Sequence, residues 1–557
     1  MALTAVTRGI LSSSMVVTLL AWPAVRLAAR DEVTGRLVDA DTGQPIGGAV
    51  VTVGPLPRSL PPLPTAPLPA LVGGQSSVRT TPAGAFVLSN VLPHNAFIGA
   101  TADGYVPGAY GQRFLGDGPL AWDDRTSSPL VIRLTRAVTI AGQVRDEHGD
   151  PIAGEMVQSL RKMLVGGEWR YSLAAGVRSD NRGLYRLTGL VPGEYLVAAT
   201  DVALWNAPLL PTSRFRTTFF RDRTRSADAT ALSLAAGELR ANTDLTLTSS
   251  PCVPVTGILQ GVPLTRLEVD LERAGAVPVP IDLPAWRASS GPSGRFAFPC
   301  VDPGEYHVKA TTPSVWFNEP LTVGAEPITD QLVPAVPLST VTGRLVGSGG
   351  AAHAALFASV IRVVAADGAP GPLLVAHANV DGFFRVGLPP GRYVLSSTVG
   401  RQVTGVRVGT RGTADGRVVV GSSDLPGVVL AVGQGGDVAG RVDLGRAGWR
   451  QVSVYVFPQD QTLWTGYGQS SPCLTEIRLD HNRFYSAGLP AGAYFIVAVT
   501  EGAELNWRDP VALARLAGVA SPFDLADGQS LDKDLKGLSS GSPAPPPGRR
   551  ATPTSVV

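Results

Sequence analysis

Six histidines, three cysteines and one Gly-x-Ser-x-Gly pentapeptide are the parts of this 557-residue chain best equipped for chemistry. Their spacing decides how much chemistry is open to them. A zinc peptidase centre of the His-x-x-Glu kind needs a glutamate three positions after a histidine, plus a distant third ligand. None of His94, His148, His307, His353, His377 and His481 has one. The pentapeptide Gly537-Leu538-Ser539-Ser540-Gly541 has the letters of a nucleophile elbow, which needs a strand before the serine and a helix after it. Here "SPAPPPGRRATPT" follows, so Ser539 is expected to be the edge of a disordered tail. No Gly-Lys-Ser/Thr tripeptide occurs, which removes the phosphate-cradling loop.

Carboxylates and aromatics leave two further chemistries to weigh. Asp146, Glu147 and Asp150 cluster in "RDEHGDP", and Asp39 with Asp41 occupy a matching turn. Such oxygens could ligate calcium, but the same residues are good turn formers that bond their own backbone. The second role is expected, with no cofactor. Sugars stack on exposed rings with polar neighbours, and the candidates are Trp464 and Tyr467 in "QTLWTGYGQSS", Trp169 and Tyr171 in "GGEWRYS", Trp205 and Trp316. Ordinary core packing is the competing role for each.

Two of the cysteines have places that invite pairing. Cys252 opens "SPCVPVTGIL" and Cys300 ends "SGRFAFPC", the first strand and the end of a later strand of one expected unit. A bridge between them would stabilise by roughly 3–4 kcal/mol; the alternative is two buried thiols. Cys473 has no evident partner in the sequence. Three cysteines without a nearby histidine do not make a zinc site.

The elements that would position these residues are written as a repeat. "LVPGEYLVAAT" (190–200) returns as "CVDPGEYHVKAT", "GLPPGRYVLSST", "GLPAGAYFIVAVT" and, blurred, "VLPHNAFIGAT". Pro then Gly fits a type II turn with Gly at positive φ, and the alternating apolar residues after it read as a half-buried strand. Another turn and strand precede each copy, as in "PSGRFAFPC", so a β-hairpin joined by the Pro-Gly turn is predicted in every unit. Each unit also has an opening glycine: Gly35, Gly142, Gly257, Gly343 and Gly440. The spacing of about 86–115 residues is sandwich size and too long for a solenoid repeat.

These features resemble the carboxypeptidase regulatory-like domain, a transthyretin-like β-sandwich also grouped with carbohydrate-binding-like folds. The resemblance rests on G-x-V-x-D-x-x-G-x-P-I-x-G, as in "VTGRLVDADTGQPIGGAV" and "IAGQVRDEHGDPIAGEMV", followed by D-x-x-G-x-[FY] and P-G-x-Y. It covers residues 31–535, strongest in the first two units. It implies a fold, since accessory domains of this kind serve peptidases, adhesins, receptors and polysaccharide-degrading proteins.

The predicted organisation is all-β: a signal peptide over 1–29, five tandem sandwiches over 30–136 (with a Pro-rich insertion at 54–74), 137–249, 250–336, 337–434 and 435–538, and a tail from 539. Short linkers suggest a semi-rigid rod, and "DPVALARLAG" (509–518) is the best short helix. Arg8, the uncharged stretch around "MVVTLLAW" and the small residues Ala28 and Ala29 match an export signal cleaved after Ala29. An uncleaved anchor is the alternative, because Arg26 follows the apolar run. No later stretch reaches the roughly 18 apolar residues of a membrane helix. Forty-seven basic and 45 acidic residues lie scattered without runs, leaving no footprint for nucleic acid. The expected function is a non-catalytic, exported structural, adhesion or protein-interaction array at the cell envelope. The alternative is a carbohydrate-binding array for extracellular polysaccharide or cell-wall glycan.

Overall fold

The computed structural model describes residues 32–55, 76–89, 96–112, 122, 129–200, 213–261, 266–273, 286–312, 314–347, 360–366, 374–397, 402–409, 411–413, 416–433, 435–445, 448, 452–468, 471–500 and 506–539. The expected signal peptide, most of the Pro-rich insertion, Trp205 and the tail beyond Ser539 lie outside them. The chain is an all-β array of sandwiches. Separate apolar cores form within 33–134, 138–247, 253–333, 341–432 and 438–535, one for each sequence repeat.

One wiring scheme recurs. The opening strand is central in the first sheet: Val33–Asp39, Val138–Asp146, Val253–Gln260, Ser339–Gly347 and Gly436–Asp443. On one side it pairs antiparallel with the strand that precedes the Pro-Gly phrase, and on the other parallel with strands from the end of the repeat. The second sheet is centred on Val50–Pro55, Met156–Val165, Glu268–Arg273, Val360–Ala365 or Val452–Pro458, flanked by the strand after the Pro-Gly phrase.

This wiring overturns the predicted hairpin. In repeats 1 to 4 the strands on either side of the phrase belong to different sheets, so the phrase is a crossover between the layers; in repeat 5 the two layers join at one edge through Leu535–Ser539, and the phrase again links strands that do not pair with each other. Local alternation is the same for a hairpin and for a crossover, which is why the sequence misleads here. The type II turn fails with it: Gly304, Gly391 and Gly492 are not at positive φ, and only Gly193 is, at 153°. Each of these glycines is instead the first residue of the new strand, paired with Leu234, Val323, Val420 or Leu525.

The tyrosine two residues on explains the rest of the phrase. Its hydroxyl donates back to the carbonyl four residues upstream: Tyr195 to Val191 at 2.5 Å, Tyr306 to Asp302 at 2.9 Å, Tyr393 to Pro389 at 2.9 Å and Tyr494 to Pro490 at 2.7 Å. This is a tyrosine corner, which pins the chain where it changes sheets. A Cβ on Gly391 would stand 3.2 Å from the Tyr393 ring, so the small residue makes room for the hook.

The opening glycines have an equally specific reason. Each pairs across the sheet with an aromatic residue: Gly35 with Phe86, Gly142 with Tyr185, Gly257 with Phe296, Gly343 with Phe384 and Gly440 with Phe484. The ring lies over the bare backbone, and at Gly257 a Cβ would meet Phe296 Cζ at 2.3 Å. Glycine in a strand interior marks such a close approach.

Repeats 2 and 5 carry additions. In repeat 2 the strands Met156–Val165 and Glu168–Arg178 form a hairpin longer than the strands described at the equivalent place in the other repeats. In repeat 5 a one-turn helix at Gln461–Trp464 and the helix Pro510–Ala517 cover the outer face of the second sheet, with a second apolar cluster beneath them.

Candidate functional site

The acidic turns are occupied by their own backbone. Asp146 Oδ1 accepts from the N–H groups of His148 and Asp150, both at 2.9 Å, and Glu147 accepts from Ser249 N. Asp39 Oδ1 accepts from Asp41 N and Thr42 N, while its Oδ2 accepts from the Tyr105 hydroxyl and forms an ion pair with Arg136 Nε, each at 3.1 Å. Burial pushes the Asp39 carboxyl up, but the bonds from Thr42, Asp41 and Tyr105 outweigh it and hold the group below its usual value. Among the described residues no three His, Cys, Asp or Glu side chains gather closely enough to hold a metal ion.

Cys252 and Cys300 are joined as a disulfide with their Cα atoms 5.0 Å apart, and Cys473 is buried in the core of repeat 5. The bridge ties the first strand of repeat 3 to its antiparallel neighbour, next to the Val253–Val301 pair. Ser539 ends the strand Leu535–Ser539 and pairs with Thr500.

Of the rings proposed to stack on sugars, the structure turns two inward. Trp464 is 3% and Tyr467 4% exposed. Trp464 donates from Nε1 to Pro458 O at 2.9 Å and packs edge-on against Phe457. Both belong to the outer apolar cluster of repeat 5, with Tyr455, Trp507, Leu513 and Leu516, so neither offers a face to a ligand. The loop folds over a sheet whose outer face is itself apolar, and that face buries both rings. Trp169 and Tyr171 lie on the strand Glu168–Arg178. Trp169 is 47% exposed, with the Lys162 ammonium 5.9 Å from its ring centre. Tyr171 donates to Glu194 at 2.6 Å, and Glu194 also pairs with Lys162 at 3.1 Å. Burial and then that carboxylate push the Tyr171 phenol up, and the phenol and Lys162 hold Glu194 down.

The structure nonetheless brings Trp169, Trp464 and Tyr467 into one place. The Gly166–Gly167 turn of repeat 2 docks on the 464–468 segment of repeat 5: Gly466 N donates to Gly166 O at 2.8 Å. Gly468 N donates to Ala366 O of repeat 4 at 2.9 Å, and Arg417 Nη1 reaches the Thr462 and Thr465 carbonyls at 2.7 and 3.2 Å. Trp169 Nε1 donates at 3.1 Å to Asp509, whose other oxygen caps the helix Pro510–Ala517 through Val511 N. Arg478 of the same repeat reaches Gly111 O of repeat 1 at 2.7 Å. The array is therefore not a rod in which only sequence neighbours touch. Hydrogen bonds of this kind contribute about 0.5–1.5 kcal/mol each, so repeat 5 is clasped to repeats 1, 2 and 4 rather than fused into their cores. Sequence reasoning missed Gly166, Gly167, Arg417 and Asp509. A Gly-Gly pair between two long alternating runs was the available signal for the hairpin, but nothing local marks what its tip touches.

No protein-family model matches the sequence, and no curated protein is similar to it at a significant level. Among solved structures the chain is similar to the Bacillus anthracis TIE protein at 12% identity, covering 72% of this chain and 73% of that one with a TM-score of 0.16. It is similar to a streptococcal ancillary pilin at 16% identity (55% and 98% covered, TM-score 0.19) and to the major pilin subunit of Bacillus cereus at 11% (53% and 99%, TM-score 0.14). Likenesses at these scores carry no argument about function.

Proposed function

We propose that the chain is an exported, non-catalytic array of carboxypeptidase regulatory-like sandwiches that serves as a structural, adhesion or protein-interaction scaffold at the cell envelope. One observation carries this reading: the residues the repeats share are engaged in architecture. The opening glycines seat aromatic rings, the Pro-Gly phrases build tyrosine corners, and the acidic turns bond their own backbone. What differs between repeats is loop and hairpin length, which is where recognition by a scaffold would lie. The partner is a protein or a glycan. No described helix is long and apolar enough to cross a membrane.

A second reading, binding of extracellular polysaccharide or cell-wall glycan, is favoured by Trp169 alone, a half-exposed indole with the Lys162 ammonium over its ring. The test is retention of the purified chain on insoluble polysaccharides and peptidoglycan sacculi, beside Trp169→Ala. Retention that disappears in Trp169→Ala but survives in Asp509→Ala, which removes the indole's partner in the joint and keeps the ring, supports the glycan reading. Absence of retention, from protein shown by circular dichroism to be folded and all-β, supports the scaffold and directs the search to protein partners. Turnover of a peptide or glycan during the same incubation would sink the non-catalytic assignment.

A further inference from the structure

We infer that repeat 5 is a latch that closes the array on itself, and that the Gly166–Gly167 tip of repeat 2 is its bolt. The inference goes beyond the scaffold reading and does not depend on what the array binds. The hairpin of repeat 2 has strands of 10 and 11 residues, where among the described residues the equivalent strands are 6 and 4 residues long in repeats 1 and 4, and 7 and 4 in repeat 5. The extra length ends on two glycines at positive φ, 59° and 82°. Backbone meets backbone there: a Cβ on Gly167 would stand 2.1 Å from Trp464 O and 2.9 Å from Thr465 Cα, and one on Gly166 would stand 2.9 Å from Gly468 O. The receiving segment has its own glycines at positive φ, Gly466 and Gly468, whose N–H groups reach repeats 2 and 4. Glycine thus stands on both sides of a contact between residues about 300 apart in sequence: at Gly166 and Gly167 the facing backbone leaves no room for a Cβ, and at Gly466 and Gly468 the positive φ is what favours glycine. Trp169 on Asp509 and Arg417 on the 3-10 turn hold the same joint from two further directions. What the latch sets is the length of the array.

Small-angle X-ray scattering of the full chain reads that length. Five bodies of about 100 residues, each about 34 Å across, give a radius of gyration near 50 Å in line, against about 24 Å for one compact body of this size. The closed array is expected well below the in-line value. Gly167→Ala should raise the radius markedly, while Gly154→Ala should not. Gly154 also sits at positive φ, 83°, but has nothing within 4 Å of its Cβ position, so it controls for backbone strain. If Gly167→Ala fails to fold by circular dichroism, the pair Trp169→Phe with Arg417→Gln, which leaves the backbone intact, must give the expansion instead. A wild-type radius near 50 Å overturns the inference. So does a folded Gly167→Ala, or a folded Trp169→Phe/Arg417→Gln chain, whose scattering superimposes on that of wild type.

Discussion

Replacing Gly257 by alanine tests the most widely shared device in the molecule. The new methyl would stand 2.3 Å from Phe296 Cζ and 2.7 Å from Gln331 O. The ring can swing aside, but Gln331 O belongs to the backbone of Ile328–Pro334, the parallel neighbour on the other side, and that strand must shift. Overpacking of a filled core costs about 1–3 kcal/mol, and a clash with backbone on one side and a ring on the other belongs at the top of that range. Five cores do not unfold as one two-state unit, so the readout should be local. Hydrogen exchange followed by mass spectrometry over Val253–Gln260 and Gly304–Thr311 reports opening of repeat 3, with repeats 1 and 5 as internal references. A loss of about 3 kcal/mol corresponds to roughly a hundredfold faster exchange, at tenfold per 1.4 kcal/mol. In a Phe296→Ala background part of the clash has gone, so the alanine should cost at least about 0.5 kcal/mol less, the lower end of coupling between contacting residues. Exchange in Gly257→Ala within threefold of wild type would refute the packing argument. Strict additivity with Phe296→Ala would refute the role given to the ring.

Three other outcomes are expected. Tyr306→Phe leaves the Asp302 carbonyl without its hydroxyl donor and should destabilise repeat 3 by about 1 kcal/mol, read by the same exchange experiment as roughly fivefold faster opening. Replacing Cys252 and Cys300 by alanine releases a loop of 48 residues, worth about 4 kcal/mol in the chain-entropy account; calorimetry should show one transition lowered and the others unmoved. The Asp39 carboxyl, held below its ordinary value in the folded state, contributes stability that is complete above about pH 4 and is lost as pH falls through the folded value. Acid exposure should therefore loosen the joint of repeats 1 and 2, where Asp39 meets Arg136, and Asp39→Asn should abolish that pH dependence in exchange over Val33–Asp39.

Much of the fold was legible because strands and breaks are local properties. Alternation at Val253–Gln260 and Val452–Pro458, the turn residues between strands and the recurring phrases point to sandwiches of about a hundred residues without reference to distant contacts. The short helix at Pro510–Ala517 was legible for a similar reason, since Asp509 and Pro510 form a capped start. The candidate site was not. Trp464 and Tyr467 sit among Gly, Ser and Thr, a composition typical of exposed loops, and nothing nearby in sequence reveals the apolar sheet face they cover.

The sequence by itself determined the all-β class, the repeat, the places of the cysteines and the aromatic that follows each Pro-Gly phrase. Tertiary structure alone decided that the phrase crosses between sheets, that each opening glycine lies under the ring of its cross-strand partner, and that repeat 5 returns to repeats 1, 2 and 4. The physical reason is range. Backbone conformation and side-chain alternation are set within a few residues. Which strand pairs with which, and which glycine meets which backbone, is settled by packing between segments tens to hundreds of residues apart, and no local pattern encodes it.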